Sequence, residues 1–159
     1  MQPLDALARR VIDGNRYLTL ATIDPDGRPR VSPVYYTHAG YSDFYWVSGP
    51  QAHHSHNVEQ RPDVEIVIFD STAAIGKGEA VYLSADARAV PDGELDDACA
   101  EAFRKPGAAR GFTPAELRDG PLRLYVANVR SCEVHIPGGH PTHGRGIDSR
   151  QPADPGSTD

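Results

Sequence analysis

Two stretches of the sequence carry side chains suited to binding an anion. The first is Arg28-Pro29-Arg30-Val31-Ser32-Pro33-Val34, in which two arginines open a segment with a hydroxyl and a proline in its middle. A guanidinium group binds phosphate through paired hydrogen bonds, and a backbone edge left free beside Pro33 could hydrogen-bond a flat polar heterocycle. A solvated turn followed by an edge strand explains the same residues without a ligand.

The second stretch is Ser48-Gly49-Pro50-Gln51-Ala52-His53-His54-Ser55-His56-Asn57, which joins the end of a predicted strand to a predicted helix. Helix N-termini attract anions through free amide groups and the helix dipole. Donors beside this terminus come from Ser48, His53, His54 and Asn57. One alternative is a metal site, but adjacent histidines on a helix point apart and no carboxylate joins them here, so we expect no metal. The other alternative is a set of surface histidines without a ligand.

No catalytic residue can be named from the sequence. It contains no nucleophile elbow, no Walker loop and no Rossmann glycine pattern. Asp96-Asp97 looks like a carboxylate pair but falls on the surface of a predicted helix. Tyr35, Tyr36 and His56 are candidates for contacts with a substrate.

A mostly antiparallel sheet is predicted to position these residues. Asp24-Pro25-Asp26-Gly27 is a strong turn signal between two apolar segments and predicts a hairpin. The predicted strands cover 17–23, 30–36, 43–48, 64–69, 79–90 and 122–136. The predicted helices cover 4–13, 52–60 and 95–103, and a further helix begins at the capping box Thr113-Pro114-Ala115-Glu116. This order predicts a mainly β, α+β fold, an antiparallel barrel with short helices at its ends.

Composition limits the classes of function. The formal net charge of −6 argues against binding nucleic acid through phosphate contacts. No stretch approaches the roughly 20 apolar residues of a membrane helix, and the N-terminus lacks an apolar signal core. Cys99 and Cys132 lie far apart, so we expect reduced thiols in a cytoplasmic protein with no membrane partner.

The chain divides into one predicted domain, residues 1–137, and a C-terminal tail, residues 138–159. The tail is rich in Gly, Pro, Ser, Asp and His and has almost no large apolar side chain. Such a composition offers little apolar burial to offset the entropy of ordering, and it predicts disorder.

The order of several segments resembles the pyridoxamine 5′-phosphate oxidase-like, FMN-binding split-barrel family. The resemblance covers about residues 5–136. The matching segments are Tyr17-Leu18-Thr19-Leu20-Ala21-Thr22, Asp26-Gly27-Arg28-Pro29-Arg30-Val31-Ser32-Pro33-Val34, Phe44-Tyr45-Trp46-Val47-Ser48, Asn57-Val58, Arg61-Pro62 and Val64-Glu65-Ile66-Val67.

This resemblance implies a six-stranded split β-barrel that forms a homodimer with two flavin sites at its interface. It implies that Arg30 holds the flavin phosphate together with a pair that opens the next helix, here His53 and His54 instead of two basic residues. The resemblance further implies flavin contacts from Val31, Ser32, Pro33 and Val34, from Val47 and Ser48, and from Glu79, which replaces a glutamine. Exposure of the strand that carries Pro33 and of Phe44-Tyr45-Trp46 would favour the same dimer.

The substrate segment of the true oxidase is missing, because the corresponding end reads Cys132-Glu133-Val134-His135-Ile136-Pro137. We therefore expect an oxidoreductase that uses FMN or the deazaflavin F420 on an unidentified small-molecule substrate other than vitamin B6. One alternative is a dimeric module that binds flavin, F420 or haem without turnover. Another is a degenerate barrel without a cofactor that serves as an interaction protein.

Overall fold

A computed structural model describes residues 4–104 and 111–157. Its helices are α1 (Leu4–Gly14), α2 (His53–Gln60), α3 (Leu95–Ala102) and α4 (Pro114–Asp119), with a 3-10 turn at Asp92–Glu94. Its strands are β1 (Tyr17–Ile23), β2 (Pro29–Tyr35), β3 (Thr37–Ala39), β4 (Asp43–Ser48), β5 (Asp63–Phe69), β6 (Ala80–Ala89), β7 (Arg123–Ile136) and β8 (Ser149–Pro152).

The strands form one curved antiparallel sheet in the order β2-β1-β5-β6-β7-β4-β3, and β8 pairs with β7. The prediction of a mainly β, antiparallel barrel-like fold with short helices is confirmed. Two short strands, β3 and β8, were not predicted. The strand β3 follows β2 after a single residue, Tyr36, at which the predicted strand 30–36 ended.

The sheet has an apolar core on each face. One face packs against α1 through Ala8, Val11 and Ile12. The other face packs against α3 and α4, where Leu95 and Leu117 are buried. Helices therefore cover both faces of the sheet, with one exception. The face of β1 and β2 that lies opposite the first core, called the outer face below, is exposed at Tyr17 and Val31.

Phe44, Tyr45 and Trp46 are buried, so the prediction that this stretch is exposed was wrong. They belong to β4, which has β7 on one side and β3 on the other. Phe44 and Trp46 point into the first core, while Tyr45 points into the second. Alternation along a strand with a core on each face leaves no apolar side chain of this stretch in water.

The C-terminal tail forms a strand, which corrects the prediction of disorder. Strand β7 pairs with β4 only as far as Asn128, and β8 pairs with its last four residues, from Glu133 to Ile136. The Arg150 guanidinium lies 3.6 Å from the centre of the Tyr82 ring, and Arg9 Nε donates a hydrogen bond to the Pro155 carbonyl at 2.8 Å. Pairing with an open strand edge thus orders a segment that has little apolar surface to bury.

Candidate functional site

The strand β2 lies at the edge of the sheet, as Pro33 predicted. Just beyond the two ends of β2, Tyr36 N–H donates to the Arg16 carbonyl and the Arg28 carbonyl accepts from Asp24 N–H. Backbone groups alternate in direction along a strand, so the even-numbered residues of β2 are the ones that bond to β1. The odd-numbered residues therefore turn their backbone groups away from β1. Among the residues described, β2 has no strand partner on that side.

Two of the residues that face this open edge are prolines. Pro29 and Pro33 have no N–H, so Val31 supplies the one backbone donor between them. The Val31 side chain is 67% exposed on the outer face of the sheet. Because side chains alternate along a strand, Arg30, Ser32 and Val34 point to the opposite face.

Arg30 is held by Asp24 from the preceding turn. Its Nε donates to Asp24 Oδ1 at 2.8 Å, and its Nη2 donates to Asp24 Oδ2 at 2.8 Å. Asn57 Nδ2 donates to the same Asp24 Oδ1 at 2.8 Å and to Thr22 Oγ1 at 3.0 Å. The hydrogen bonds from Arg30 and then from Asn57 lower the pKa of Asp24 to about 2. Arg30 is therefore fixed in place, with its charge partly neutralised.

A cavity of about 370 Å³ opens beside this ion pair. It brings together Arg30, His53 and Asn57 with His56 and the turn residues Asp24 and Asp26. One guanidinium faces two carboxylates, and the two histidines add positive charge only when they are protonated. No side chain caps the first turn of α2 at Ala52, so the helix terminus leaves amide groups for an anion or water.

His53 and His54 do not act as a pair in the structure. His53 is exposed and lines the cavity with Arg30, whereas His54 Nε2 lies 2.8 Å from Ser48 Oγ at the end of β4. Burial, and then the charge of His53, lowers the pKa of His54 below its usual 6.5. His54 is consequently a neutral hydrogen-bonding partner of Ser48 at neutral pH.

Glu79 lies apart from the other predicted residues within one chain. It precedes β6 and forms an ion pair with Arg10 of α1 at 2.7 Å. The pairing of Ala80 with Phe69 and of Ala21 with Glu65 puts Glu79 and Arg30 near opposite ends of the sheet. Glu79 instead lines a separate cavity of about 510 Å³ between α1 and the segment after β7.

Sequence reasoning missed Asp24 and Thr22 as site residues. The segment from Asp24 to Gly27 was interpreted only as a turn. The hairpin register could have revealed the contact, since Thr22 pairs with Arg30 and Asp24 follows two residues later on the same face. Among the described residues, no group of three or more His, Cys, Asp or Glu side chains is placed to hold a metal ion. The described part of the chain also has no helix long and apolar enough to span a membrane.

The fold is that of a split barrel shared with solved structures. A haem-binding protein from Mycobacterium smegmatis superimposes with a TM-score of 0.67 at 22% identity, covering 96% of this chain and 59% of that protein. The haem storage protein HutZ from Vibrio cholerae gives 0.63 at 22% identity, covering 81% and 92%. An FAD-binding protein from Mesorhizobium loti gives 0.59 at 20% identity, covering 79% and 89%. At these identities the likeness establishes the fold alone.

The family follows from the sequence itself. A sequence model described as pyridoxamine 5′-phosphate oxidase matches residues 4–135, and the chain belongs to that family. No curated protein matches the chain. The M. smegmatis protein is the longer of the two chains, since this chain spans 59% of its length.

Proposed function

We propose that this protein binds FMN or F420 along β2 and uses it in the oxidation or reduction of a small molecule. The observation that carries the proposal is the open edge of β2, where Val31 offers a backbone donor between two prolines. A flat heterocycle with polar atoms on its rim suits the open edge of β2. Such a ring needs few hydrogen-bond donors from the protein, and its flat surface can lie against an apolar side chain. The exposed Val31 side chain supplies that apolar contact.

The cavity beside Arg30 supports a phosphate site only in part. The guanidinium and the uncapped start of α2 favour an anion, while Asp24 and Asp26 oppose it. A phosphate must therefore share Arg30 with Asp24 or displace it. A bound flavin or deazaflavin supplies the hydride chemistry, and this chain supplies position and charge.

A second candidate is a module that binds flavin or haem without turnover. The ion pair between Arg30 and Asp24 favours it, because an arginine already neutralised is a weak phosphate ligand.

Titration of the purified protein with FMN, F420 and haemin tests both candidates. We expect FMN or F420 to bind, and Arg30→Ala to weaken binding about tenfold or more, the loss typical of a charged hydrogen bond. Arg28→Ala is the matched control, because Arg28 is exposed and pairs with Asp26 in the adjacent turn. It should leave the affinity nearly unchanged.

The outcomes separate the candidates. A Soret band with haemin, together with no binding of FMN or F420, would replace the proposal with the haem-binding module. Flavin binding without hydride transfer to or from any added nicotinamide or small-molecule acceptor would support the module without turnover. Binding of none of the three compounds would refute both.

A further inference from the structure

A cavity of about 330 Å³ lies between the sheet and α3. Its floor is apolar, because Tyr45, Val90 and Val126 line it from the sheet and all three are buried. Ala98 lines it from α3. Among the described residues it shares none with the cavity beside Arg30, so a ligand here would be additional to the proposed cofactor.

Carboxylates outnumber cations around this floor. The charged side chains that line the cavity are those of Asp43, Glu94, Asp97, Glu101 and Arg88. Arg88 pairs with Glu94 at 2.8 Å, and Arg104 pairs with Glu101. The cavity therefore keeps a negative charge even where its carboxylates have partners.

Two of these carboxylates are not neutralised by a cation in the described part of the chain. Asp43 accepts hydrogen bonds from two neutral groups, the Ser42 hydroxyl at 3.1 Å and the Asn128 amide at 2.5 Å. Asp97 has no ion pair with any described residue and lies in the first turn of α3. A cation that enters the cavity would thus meet free negative charge on the sheet side and on the helix side.

The Tyr45 hydroxyl faces the same cavity and has no hydrogen-bond partner among the residues described. Tyr45 is only 8% exposed. Burial raises the pKa of its hydroxyl, the carboxylates of Asp43 and Glu101 raise it further, and Arg88 lowers it. These three charged groups all line the cavity, so the hydroxyl points toward them. Buried hydroxyls are nearly always hydrogen-bonded, so a group that enters the cavity completes this one.

We infer that this cavity binds a small organic ammonium ion, with its charge among the carboxylates and its hydrocarbon part on the apolar floor. The ammonium N–H groups donate to the two free carboxylates, Asp43 and Asp97, and to the Tyr45 hydroxyl oxygen. The volume is near the lower end of the roughly 300–1,000 Å³ typical of small-molecule sites, so the ligand has one ring or a short chain.

A metal ion suits the cavity less well than an organic cation. No group of three or more His, Cys, Asp or Glu side chains within the described ranges is placed to hold a metal. Hard cations such as Mg²⁺ and Ca²⁺ require several oxygen ligands around them, whereas the floor formed by Val90 and Val126 offers only hydrocarbon.

Benzylamine and benzyl alcohol are suitable probes, because they have nearly the same shape and only the amine is charged at neutral pH. Calorimetric titration of the full chain without added cofactor gives both affinities. We expect benzylamine to bind saturably and at least about fivefold more tightly than benzyl alcohol at low salt, the effect of one ion pair. The difference should shrink at about 1 M salt, which screens charges beyond about 3 Å.

The side-chain amide of Asn128 reports where the amine binds. Its Nδ2 donates to Asp43 Oδ1 at 2.5 Å, and both residues line the cavity. The amide resonances of Asn128 in a ¹H–¹⁵N correlation spectrum should therefore shift on addition of benzylamine, with the affinity that calorimetry gives. Asn57, beside Arg30, lies in the other cavity, and its amide resonances should not shift.

Asp97→Asn and Asp96→Asn form a matched pair of variants. Both residues lie in the first turn of α3, and both changes remove one negative charge. Asp97 lines the cavity, whereas Asp96 is not among its described lining residues. Asp97→Asn should weaken benzylamine binding about threefold to fivefold and leave benzyl alcohol unchanged. Asp96→Asn should leave both affinities nearly unchanged.

Tyr45→Phe tests the hydroxyl separately. The change keeps the ring and removes a group that has no partner in the described part of the chain, so thermal stability should not fall. Benzylamine binding should weaken severalfold, because the ammonium loses one acceptor. If this variant fails to fold, the comparison of Asp97→Asn with Asp96→Asn decides the matter.

Equal affinity for benzylamine and benzyl alcohol would overturn the inference, and so would equal losses in Asp96→Asn and Asp97→Asn. Asn128 resonances that benzylamine leaves in place would overturn it too. Displacement of benzylamine by an equal concentration of Mg²⁺ or Ca²⁺ would replace the organic cation with a metal. Benzylamine binding in a protein that takes up no FMN, F420 or haemin would remove the proposed function and leave this inference standing.

Discussion

Arg30 and Asp24 face each other across the β1–β2 hairpin as a two-point ion pair, Nε to Oδ1 and Nη2 to Oδ2, both at 2.8 Å. The resemblance implies that this arginine holds a phosphate, but here the Asp24 carboxylate already accepts hydrogen bonds from the Nε and Nη2 groups of its guanidinium. Any anion that binds Arg30 must compete with Asp24, and this competition can be measured.

Replacing Asp24 with Asn should tighten FMN binding about fivefold at neutral pH and low salt, because it removes the carboxylate that competes with the phosphate for Arg30. Fluorescence quenching of FMN gives the affinity. Asp26→Asn is the control, since Asp26 lines the same cavity and lies in the field of Arg30, but its ion pair is with Arg28. Equal gains in both variants would indicate a general effect of charge. No gain in either would show that Arg30 is not a phosphate ligand.

The stability of the fold should fall as the pH drops below about 6.5 because of His54. Burial lowers its pKa in the folded state, so the unfolded chain binds more protons in this window and stability rises with pH through it. Urea unfolding at about pH 8 and about pH 5 measures the change. His54→Gln keeps a hydrogen-bonding group beside Ser48 and does not titrate, so its stability should vary less. Identical pH dependence in the two proteins would contradict this account.

The protein should dimerise through the outer face of β1, β2 and β5. Val31 and Tyr17 are 67% and 63% exposed there, and Phe69 is exposed on the same face. Sedimentation should give twice 17.2 kDa at micromolar concentration. Val31→Lys should raise the dissociation constant at least about fivefold, as loss of an interface contact of more than 1 kcal/mol does. Ile75→Lys, on an exposed loop, should not. A wild-type protein that sediments as a monomer would refute the dimer.

Removing residues 148–159 should lower the melting temperature by about 2–8 °C, which corresponds to a loss of about 1–2 kcal/mol in a chain of this size. The truncation removes β8 and the Arg150–Tyr82 contact, and it exposes the edge of β7. Arg150→Ala should cause a smaller fall, because an exposed cation–π contact contributes about 0.5–1 kcal/mol. Arg145→Ala, in the preceding turn, is the control. A truncated protein that melts like the full chain would show that the tail contributes nothing to stability.

Local signals in the sequence predicted the elements well. The capping box is present, since Thr113 Oγ1 accepts from Glu116 N–H and the Glu116 carboxylate accepts from Thr113 N–H. Pro33 correctly placed β2 at an edge. These features depend on neighbouring residues alone, so one sequence is enough to read them.

Features that depend on distant pairing were not predicted. The order of β8 comes from the open edge of β7, which its own composition does not reveal. The separation of Glu79 from Arg30 depends on the register of β1, β5 and β6. The burial of Phe44 depends on β4 having a strand on each side. In each case the deciding contact lies far along the chain.

The prolines of β2 also bear on how the protein avoids self-association into fibrils. An exposed, apolar strand edge is a template on which further chains can grow as β-sheet. From Pro29 to Pro33 this edge presents one N–H where an ordinary strand would present three. An incoming strand finds too few donors to continue its ladder, whereas a single flat ring needs no ladder. The same spacing that leaves room for a ring thus denies the edge to another polypeptide.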